Sequence, residues 1–396
     1  MSIRGERIII TLLGKRNVGK SSLINAITNQ EIAIVSATPG TTTDPVAKRY
    51  ELVPIGPVTL YDTAGLDDVG ELGEKRVQST FKVLFRTDIA ILVSDGLAFE
   101  SSELEMIERL RELKISFVVA FNQMDLRDVH QDNVDYCEQH EIKYVRVSST
   151  TKEGVDELKD LLISLAPKAQ ADRILAGDLV ERGARVVLVT PIDASAPKGR
   201  MILPQMQTVR DLLDHHAIVT FCQPQELEAT LKSFEEPVDL VITDSQAVKQ
   251  VERQVPQEIA LTTFSILFAR YKGELETMAR GVRQIDKLKD GDKVLIAEAC
   301  SHHAQEDDIG TVKIPKWLLE YTQKDLIFEA GRGYDYPANL EDYQLIIHCG
   351  GCMLNQAEMM RRIVEAERRG VPITNYGLAI TKVQGVFERC VKPLGI

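Results

Sequence analysis

Cysteine is scarce in this chain. Its six thiols, Cys137, Cys222, Cys300, Cys349, Cys352 and Cys390, are spread through 396 residues, too few for a disulfide scaffold in a protein of this length. Positive charge is short as well: 47 Lys and Arg stand against 59 Asp and Glu, a net charge of −12. An acidic chain is a poor bulk binder of nucleic acid or of an anionic membrane. No apolar run reaches the roughly 18 residues that a bilayer span needs. The N-terminus lacks the pattern of an export signal, because Arg4-Gly-Glu-Arg7 precedes only a short apolar stretch, Ile8 to Leu13, which runs straight into a glycine loop. These absences predict a cytoplasmic protein with reduced thiols and with neither nucleic acid nor membrane as partner. What remains is an ordinary globular composition, 44% apolar and 27% charged with 25 Gly and 15 Pro, and a length that predicts two or three domains.

The first third carries the clearest chemistry. Ile8–Leu13 reads as a buried strand, Gly14-Lys-Arg-Asn-Val-Gly19-Lys20-Ser21 follows, and Ser22 to Ile27 reads as a helix. This is G-x-x-x-x-G-K-S between a strand and a helix, the arrangement that cradles phosphates. Gly14, Asn17, Val18, Gly19, Lys20, Ser21 and Ser22 form the predicted phosphate-binding set. Lys20 bridges phosphate oxygens and the Ser21 hydroxyl reaches Mg²⁺. Val58–Tyr61 reads as a strand ending in Asp62-Thr63-Ala64-Gly65, where Asp62 holds Mg²⁺ and the Gly65 amide senses a γ-phosphate. Between the two lies Pro39-Gly-Thr-Thr-Thr-Asp44, a switch-like loop. Thr42 is the chosen Mg²⁺ threonine there, with Thr41 and Thr43 as competitors.

Base choice is written further along. The strand Ser116–Phe121 leads into Asn122-Gln123-Met124-Asp125, which is similar to the N-K-x-D element of GTPases with Gln123 in place of the usual Lys. A carboxylate at Asp125 accepts from both N1–H and the 2-amino group of guanine, a pair that adenine lacks. Tyr144–Val147 reads as another strand, and Ser148-Ser149-Thr150 after it looks like the loop that supports the guanine. With these elements in order, residues 6–166 resemble a translation-factor-type GTPase domain of the Era and TrmE branch. The resemblance implies that Asn17 helps to hold a K⁺ beside the phosphates. Leu66 stands where Ras-like GTPases carry a water-orienting Gln, so slow, cation-sensitive hydrolysis is expected.

The middle of the chain, 175–264, alternates strands (Ala184–Val189, Ala217–Phe221, Val238–Thr243) with helices (Gln205–Leu213, Pro224–Ser233, Ser245–Gln254). That rhythm predicts a small, mostly parallel sheet. None of its residues has catalytic spacing: His215 and His216 are adjacent and diverge, and Cys222 reads as a core residue. By elimination this module reads as an assembly surface.

The last third, 265–396, gathers thiols. Lys293–Glu298 reads as a strand leading to Cys300-Ser301-His302-His303. Tyr343–Ile347 reads as a strand leading to His348-Cys349-Gly350-Gly351-Cys352, followed at once by a helix from Met353 to Arg369. Sites in open α/β sheets collect past such strand ends, and a helix N-terminus close behind favours thiolate. Cys300, Cys349 and Cys352 with a His satisfy a structural zinc, a lone C-x-x-C suits redox chemistry, and three cysteines suit a 4Fe-4S cluster with one iron held weakly. Spacing does not choose between zinc and iron–sulfur. Cys137 and Cys390 read as structural thiols.

A GTPase head, a middle α/β module and a C-x-H…H-C-x-x-C ending together resemble the FeFe-hydrogenase maturation GTPases, the HydF family, over the whole chain. The segment Pro191–Gln205 also looks like that family's middle domain. The resemblance implies an α/β protein of three modules: a P-loop GTPase domain, a dimerisation domain and an iron–sulfur domain. It implies a homodimeric scaffold that binds GTP or GDP, Mg²⁺, K⁺ and a 4Fe-4S cluster. It further implies that the scaffold receives a two-iron precursor from two radical-SAM maturases and hands it to apo FeFe-hydrogenase. His302 and His348 fall on the family's histidines, while Glu306, Asp307 and Asp308 compete for the fourth cluster position. The rival reading is an Era-like GTPase associated with ribosomes or tRNA and carrying a metal-binding tail. Such proteins usually carry a basic RNA-binding domain or a G-x-x-G clamp, and the last third has neither.

Overall fold

The structure is a computed structural model that describes residues 7–29, 46–63, 65–66, 83–167, 174–192, 201–298, 308–333, 336–337, 339–351 and 354–396. It divides into two compact units, Met1–Gln170 and Ala171–Ile396.

The first unit is built on a six-stranded sheet: β1 (Ile8–Leu13), β2 (Val46–Leu52), β3 (Gly56–Asp62), β4 (Ile89–Ser94), β5 (Ser116–Phe121) and β6 (Tyr144–Arg146), in the order β2-β3-β1-β4-β5-β6. Only β2 runs antiparallel to its neighbour. The sequence explains the order. β4 is buried at all six positions, as a central parallel strand covered on both faces must be. β2 alternates exposed and buried residues from Ala47 to Leu52, which suits an edge. Along β5, Val118 and Ala120 face one core with the helices Lys20–Thr28 and Val155–Leu165. Val119 and Phe121 face the other, with the helices Ser101–Glu112 and Gln131–Gln139. The two-residue period of a strand thus supplies both cores.

The second unit carries two four-stranded, all-parallel sheets. One has β7 (Arg185–Val189), β8 (Ile218–Cys222), β9 (Leu240–Thr243) and β10 (Ala260–Thr263) in the order β10-β9-β7-β8. The other has β11 (Lys293–Glu298), β12 (Ile327–Arg332), β13 (Leu345–His348) and β14 (Ile373–Asn375) in the order β12-β11-β13-β14. The sequence reading treats these sheets as separate modules, but they share a core. Val187, Val189 and Val241 join Val294–Ala297 and Leu345–Ile347 in a single cluster. Val186, Leu188, Leu240 and Ile242 pack on the opposite face against Phe264, Leu267 and Phe268.

Two local expectations change. His348 closes β13 instead of lying past it, aligned with Ala297 of β11. The helix expected from Met353 is Gln356–Arg368 instead, because the Asn355 side chain caps it by accepting from the Glu358 amide at 2.9 Å. The helix therefore starts at Gln356, later in the chain than Met353. Among the described residues no helix is long and apolar enough to cross a membrane.

Candidate functional site

The nucleotide loop leaves the C-terminal end of β1 and enters the helix Lys20–Thr28. Gly19 adopts φ +90°, and a Cβ there would stand 2.4 Å from Asn122 Nδ2, so backbone handedness and close approach both require glycine. Asn122 is wholly buried and ties three loops together. Its Nδ2 donates to the Val18 carbonyl at 2.9 Å and to Ser149 Oγ at 3.2 Å, and its Oδ1 accepts from the Ser149 amide at 3.0 Å. Gln123 Nε2 donates to the Asn17 carbonyl at 2.9 Å, so the residue that departs from the family pattern braces the phosphate loop. Asp125 Oδ1 accepts from Ser148 Oγ at 2.6 Å, and Ser148 Oγ in turn accepts from the Thr151 amide at 3.1 Å. The carboxylate is thereby held in a fixed orientation.

Phosphate and cation groups converge at the other end of the loop. Lys20, 8% exposed, donates to the carbonyls of Gly14 at 2.8 Å and Lys15 at 2.7 Å. Ser21 Oγ donates to Asp62 Oδ2. Asp62 ends β3 in register with Leu12 of β1, so one cation is within reach of both oxygens, a hard donor set that suits Mg²⁺. The Leu66 amide donates to the Gly14 carbonyl at 3.2 Å, which brings the Gly65 segment against the loop. Asn17 and Ser22 are exposed. Thr42 lies outside the described residues, as do Thr41, Thr43 and Asp44. Sequence reasoning missed Lys15, which pairs with Glu100 at 2.9 Å and with the fully buried Glu103 at 3.4 Å. Burial opposes the Lys15 charge, but the Glu100 hydrogen bond and the Glu103 and Asp95 carboxylates outweigh it and raise its pKa. Burial pushes the Glu103 carboxyl up. The loop is thus anchored to the helix Ser101–Glu112.

In the second unit Cys349 sits where β11 and β13 lie side by side. β11 connects outward to β12 and β13 connects outward to β14, so the crevice past their C-terminal ends is a topological switch point, the usual position of ligands in such sheets. Cys349 follows β13, is 9% exposed, and its amide donates to Ala297 of β11 at 2.8 Å. Glu298 ends β11 two residues before Cys300, and Tyr376 Oη donates to Glu298 Oε1 at 3.4 Å. Burial first, then the neighbouring Cys349, Glu298 and Asp308, raise the pKa of the Tyr376 phenol.

His348 is completely buried. Its Nδ1 lies 2.7 Å from the Cys349 carbonyl, and since a carbonyl only accepts, Nδ1 carries the proton. Nε2 then has a free lone pair, and among the described residues it is buried without a hydrogen-bond partner. Burial, then the Arg362 guanidinium, push the imidazole pKa down to about 3, so it stays neutral. Cys349 and His348 are successive residues at the end of β13, and a thiol and an imidazole nitrogen are each ligand types for a soft or borderline metal centre. Cys300, His302, Cys352, Glu306 and Asp307 lie outside the described residues. Among the described residues no group of three or more His, Cys, Asp or Glu is placed to hold a metal. Burial drives the remaining thiols toward inertness, with Cys137 pushed up to about 11 and Cys390 to about 12.

The middle module presents an apolar edge. β8 ends its sheet with Ile218 50% and Phe221 39% exposed. The helix Leu203–Asp214 beside it exposes Met206 and Leu213.

Comparison with known proteins assigns each part. Family models match three stretches: the 50S ribosome-binding GTPase at residues 9–123, the hydrogen maturase F dimerization domain at 175–273 and the hydrogen maturase F tetramerization domain at 276–393. Tetramerisation was not anticipated from the sequence. Among curated proteins, the tRNA modification GTPase MnmE of Chromobacterium violaceum is 36% identical over 173 residues, 43% of this chain and 37% of that protein. The GTPase Der of Kosmotoga olearia is 32% identical over 208 residues, 49% of this chain and 46% of that protein. The chain therefore spans less than half the length of these relatives. Among solved structures, the G domain of the T. maritima FeoB iron transporter is 26% identical, with a TM-score of 0.32 over 40% of this chain and 98% of that one. The two maturase models are consecutive and together span more than half of the sequence. With a GTPase domain ahead of them, the chain belongs to the hydrogen maturase F (HydF) family of hydrogenase maturation GTPases.

Proposed function

We propose that this chain is a GTP-hydrolysing scaffold or carrier that binds a 4Fe-4S cluster. It receives a two-iron precursor from two radical-SAM maturases and hands it to apo FeFe-hydrogenase. The observation that carries this reading is Cys349, which follows β13 at the switch point between β11 and β13, in a chain that also holds guanine-nucleotide loops and matches two hydrogen maturase F domains. Cys300, Cys349 and Cys352 are the proposed thiolate ligands, and His348, His302 and a nearby carboxylate are the candidates for the single fourth position. Three thiolates and one exchangeable position suit a cluster that accepts and releases a partner group. The modules proposed are 6–166 for nucleotide, 175–264 for dimerisation and 265–396 for the cluster. The test is activation of apo FeFe-hydrogenase in a defined mixture with the two radical-SAM maturases. Wild-type protein is expected to support hydrogen evolution and a Cys349→Ser variant is not. Equal activation by both overturns the proposal.

In the nucleotide site Lys20 stabilises transferred charge, Ser21, Thr42 and Asp62 hold Mg²⁺, the Gly65 amide meets the γ-phosphate, and Asn17 holds K⁺. A bound monovalent cation supplies positive charge at the phosphates without an arginine. Hydrolysis is expected to run about tenfold faster in KCl than in NaCl at equal ionic strength. Equal rates remove the K⁺ role.

Homodimerisation is proposed to use the β8 edge, where open backbone groups lie beside exposed Ile218 and Phe221. Phe221→Glu places a charge on that edge, and light scattering is expected to show a smaller assembly with hydrolysis per chain unchanged. An unchanged mass assigns the interface elsewhere.

A further inference from the structure

Lys272 ends the helix Phe264–Lys272. That helix is shared between the two sheets of its unit: Phe264, Leu267 and Phe268 pack with the middle module, and Ile266 and Ala269 pack in the core that also contains Cys349 and Leu354. The Lys272 side chain is 6% exposed. Its Nζ donates to the Gly351 carbonyl at 3.2 Å and to the Leu354 carbonyl at 3.0 Å, and stands 5.5 Å from the Phe268 ring centroid. Burying an ammonium is costly unless its donors are taken. Here two of them hold the backbone of one turn.

That turn follows Cys349. Gly351 adopts φ +61°, a left-handed conformation that favours glycine, with Met359 Cε packed against it. The Leu354 amide closes the turn onto the Gly351 carbonyl at 3.0 Å, and the Asn355 cap fixes the helix behind it. Lys272 reaches the Gly351 and Leu354 carbonyls from a different helix, Phe264–Lys272.

We infer that Lys272 is a positioning residue that clamps the Gly351 and Leu354 carbonyls and so fixes the chain following Cys349 from the helix that packs with the dimerisation module. The inference rests on the cluster reading for its functional meaning, while the clamp itself is a property of the iron-free protein. A cationic group held beside a cluster also favours the reduced form.

The test uses the full-length chain with Lys272→Met, which keeps the apolar stem over Phe268, and with Lys272→Arg, which keeps a cationic donor. In iron-free protein, hydrogen exchange of the peptide covering 349–356 is expected to quicken about tenfold in K272M and to stay near wild type in K272R. Thermal melting of both variants checks that the fold is kept. Should K272M fail to fold, Lys272→Gln serves the same comparison. After anaerobic reconstitution with ferrous iron and sulfide, the midpoint potential of the K272M cluster is expected to be more negative than that of wild type. Unchanged exchange in the neutral variants overturns the clamp. Wild-type protein that takes up no iron overturns the cluster reading instead, and the exchange comparison still decides the clamp.

Discussion

Asp125→Asn is expected to remove the preference for guanine nucleotides and create one for xanthine nucleotides. The Asp125 carboxylate is held by the Ser148 hydroxyl at 2.6 Å, so its acceptor oxygens face a fixed direction. Guanine presents two donors, N1–H and the 2-amino group, to such an acceptor pair. Asparagine replaces one acceptor with an NH₂ donor that meets the guanine amino group head on, whereas xanthine has a carbonyl oxygen at that position. Ser148 still donates to the remaining amide oxygen, so the loop geometry is retained. Sites built around buried hydrogen bonds reject a mismatched ligand by large factors, and a loss of about 10³-fold or more in GTP affinity is expected, with XTP gaining in proportion. Fluorescence titration with labelled GTP and XTP measures both. An Asn variant that binds GTP as tightly as wild type contradicts the assignment of Asp125 to the base.

Lys20→Ala is expected to lower the single-turnover rate of GTP hydrolysis by about 10²- to 10³-fold, the scale of losing one preorganised donor to a charged transition state. The reason is visible in the loop. Lys20 Nζ is buried and held by the Gly14 and Lys15 carbonyls, which keeps the ammonium over the space that the loop encloses. When phosphate oxygens enter, the same cation exchanges neutral carbonyls for charged acceptors and gains strength in doing so. Binding of GTP is expected to weaken more than binding of GDP, because the side chain reaches the outer phosphates. A variant hydrolysing within twofold of wild type contradicts this role.

The features legible in the sequence are those dictated by local physics. The β1–loop–helix unit follows from Gly14, Gly19 and the apolar run before them, and β5 and β11 have the bounds that their apolar runs predict. Cys137 and Cys390 are buried structural thiols, as isolated cysteines usually are. The illegible features depend on which loops the fold brings together. Asn122 and Gln123 read in the sequence only as parts of an N-K-x-D-like element, which does not show that Asn122 holds Val18 and Ser149 or that Gln123 supports Asn17. Lys15, Glu103 and Lys272 carry no motif, because their partners lie far along the chain. The shared core of the two small sheets was equally hidden, since the alternation of Val186 to Val189 says that both faces are covered without saying by what.

The proposed function joins a guanine-nucleotide switch to a three-cysteine iron–sulfur centre in one chain. Its most direct test is anaerobic reconstitution of the full chain with iron and sulfide, followed by metal analysis and electron paramagnetic resonance of the reduced protein, beside a Cys349→Ser/Cys352→Ser double variant. The account predicts about four iron atoms per chain and a cubane-cluster signal in wild type, both lost in the double variant. Stoichiometric zinc in place of iron, or a cluster signal that survives the double substitution, would contradict it.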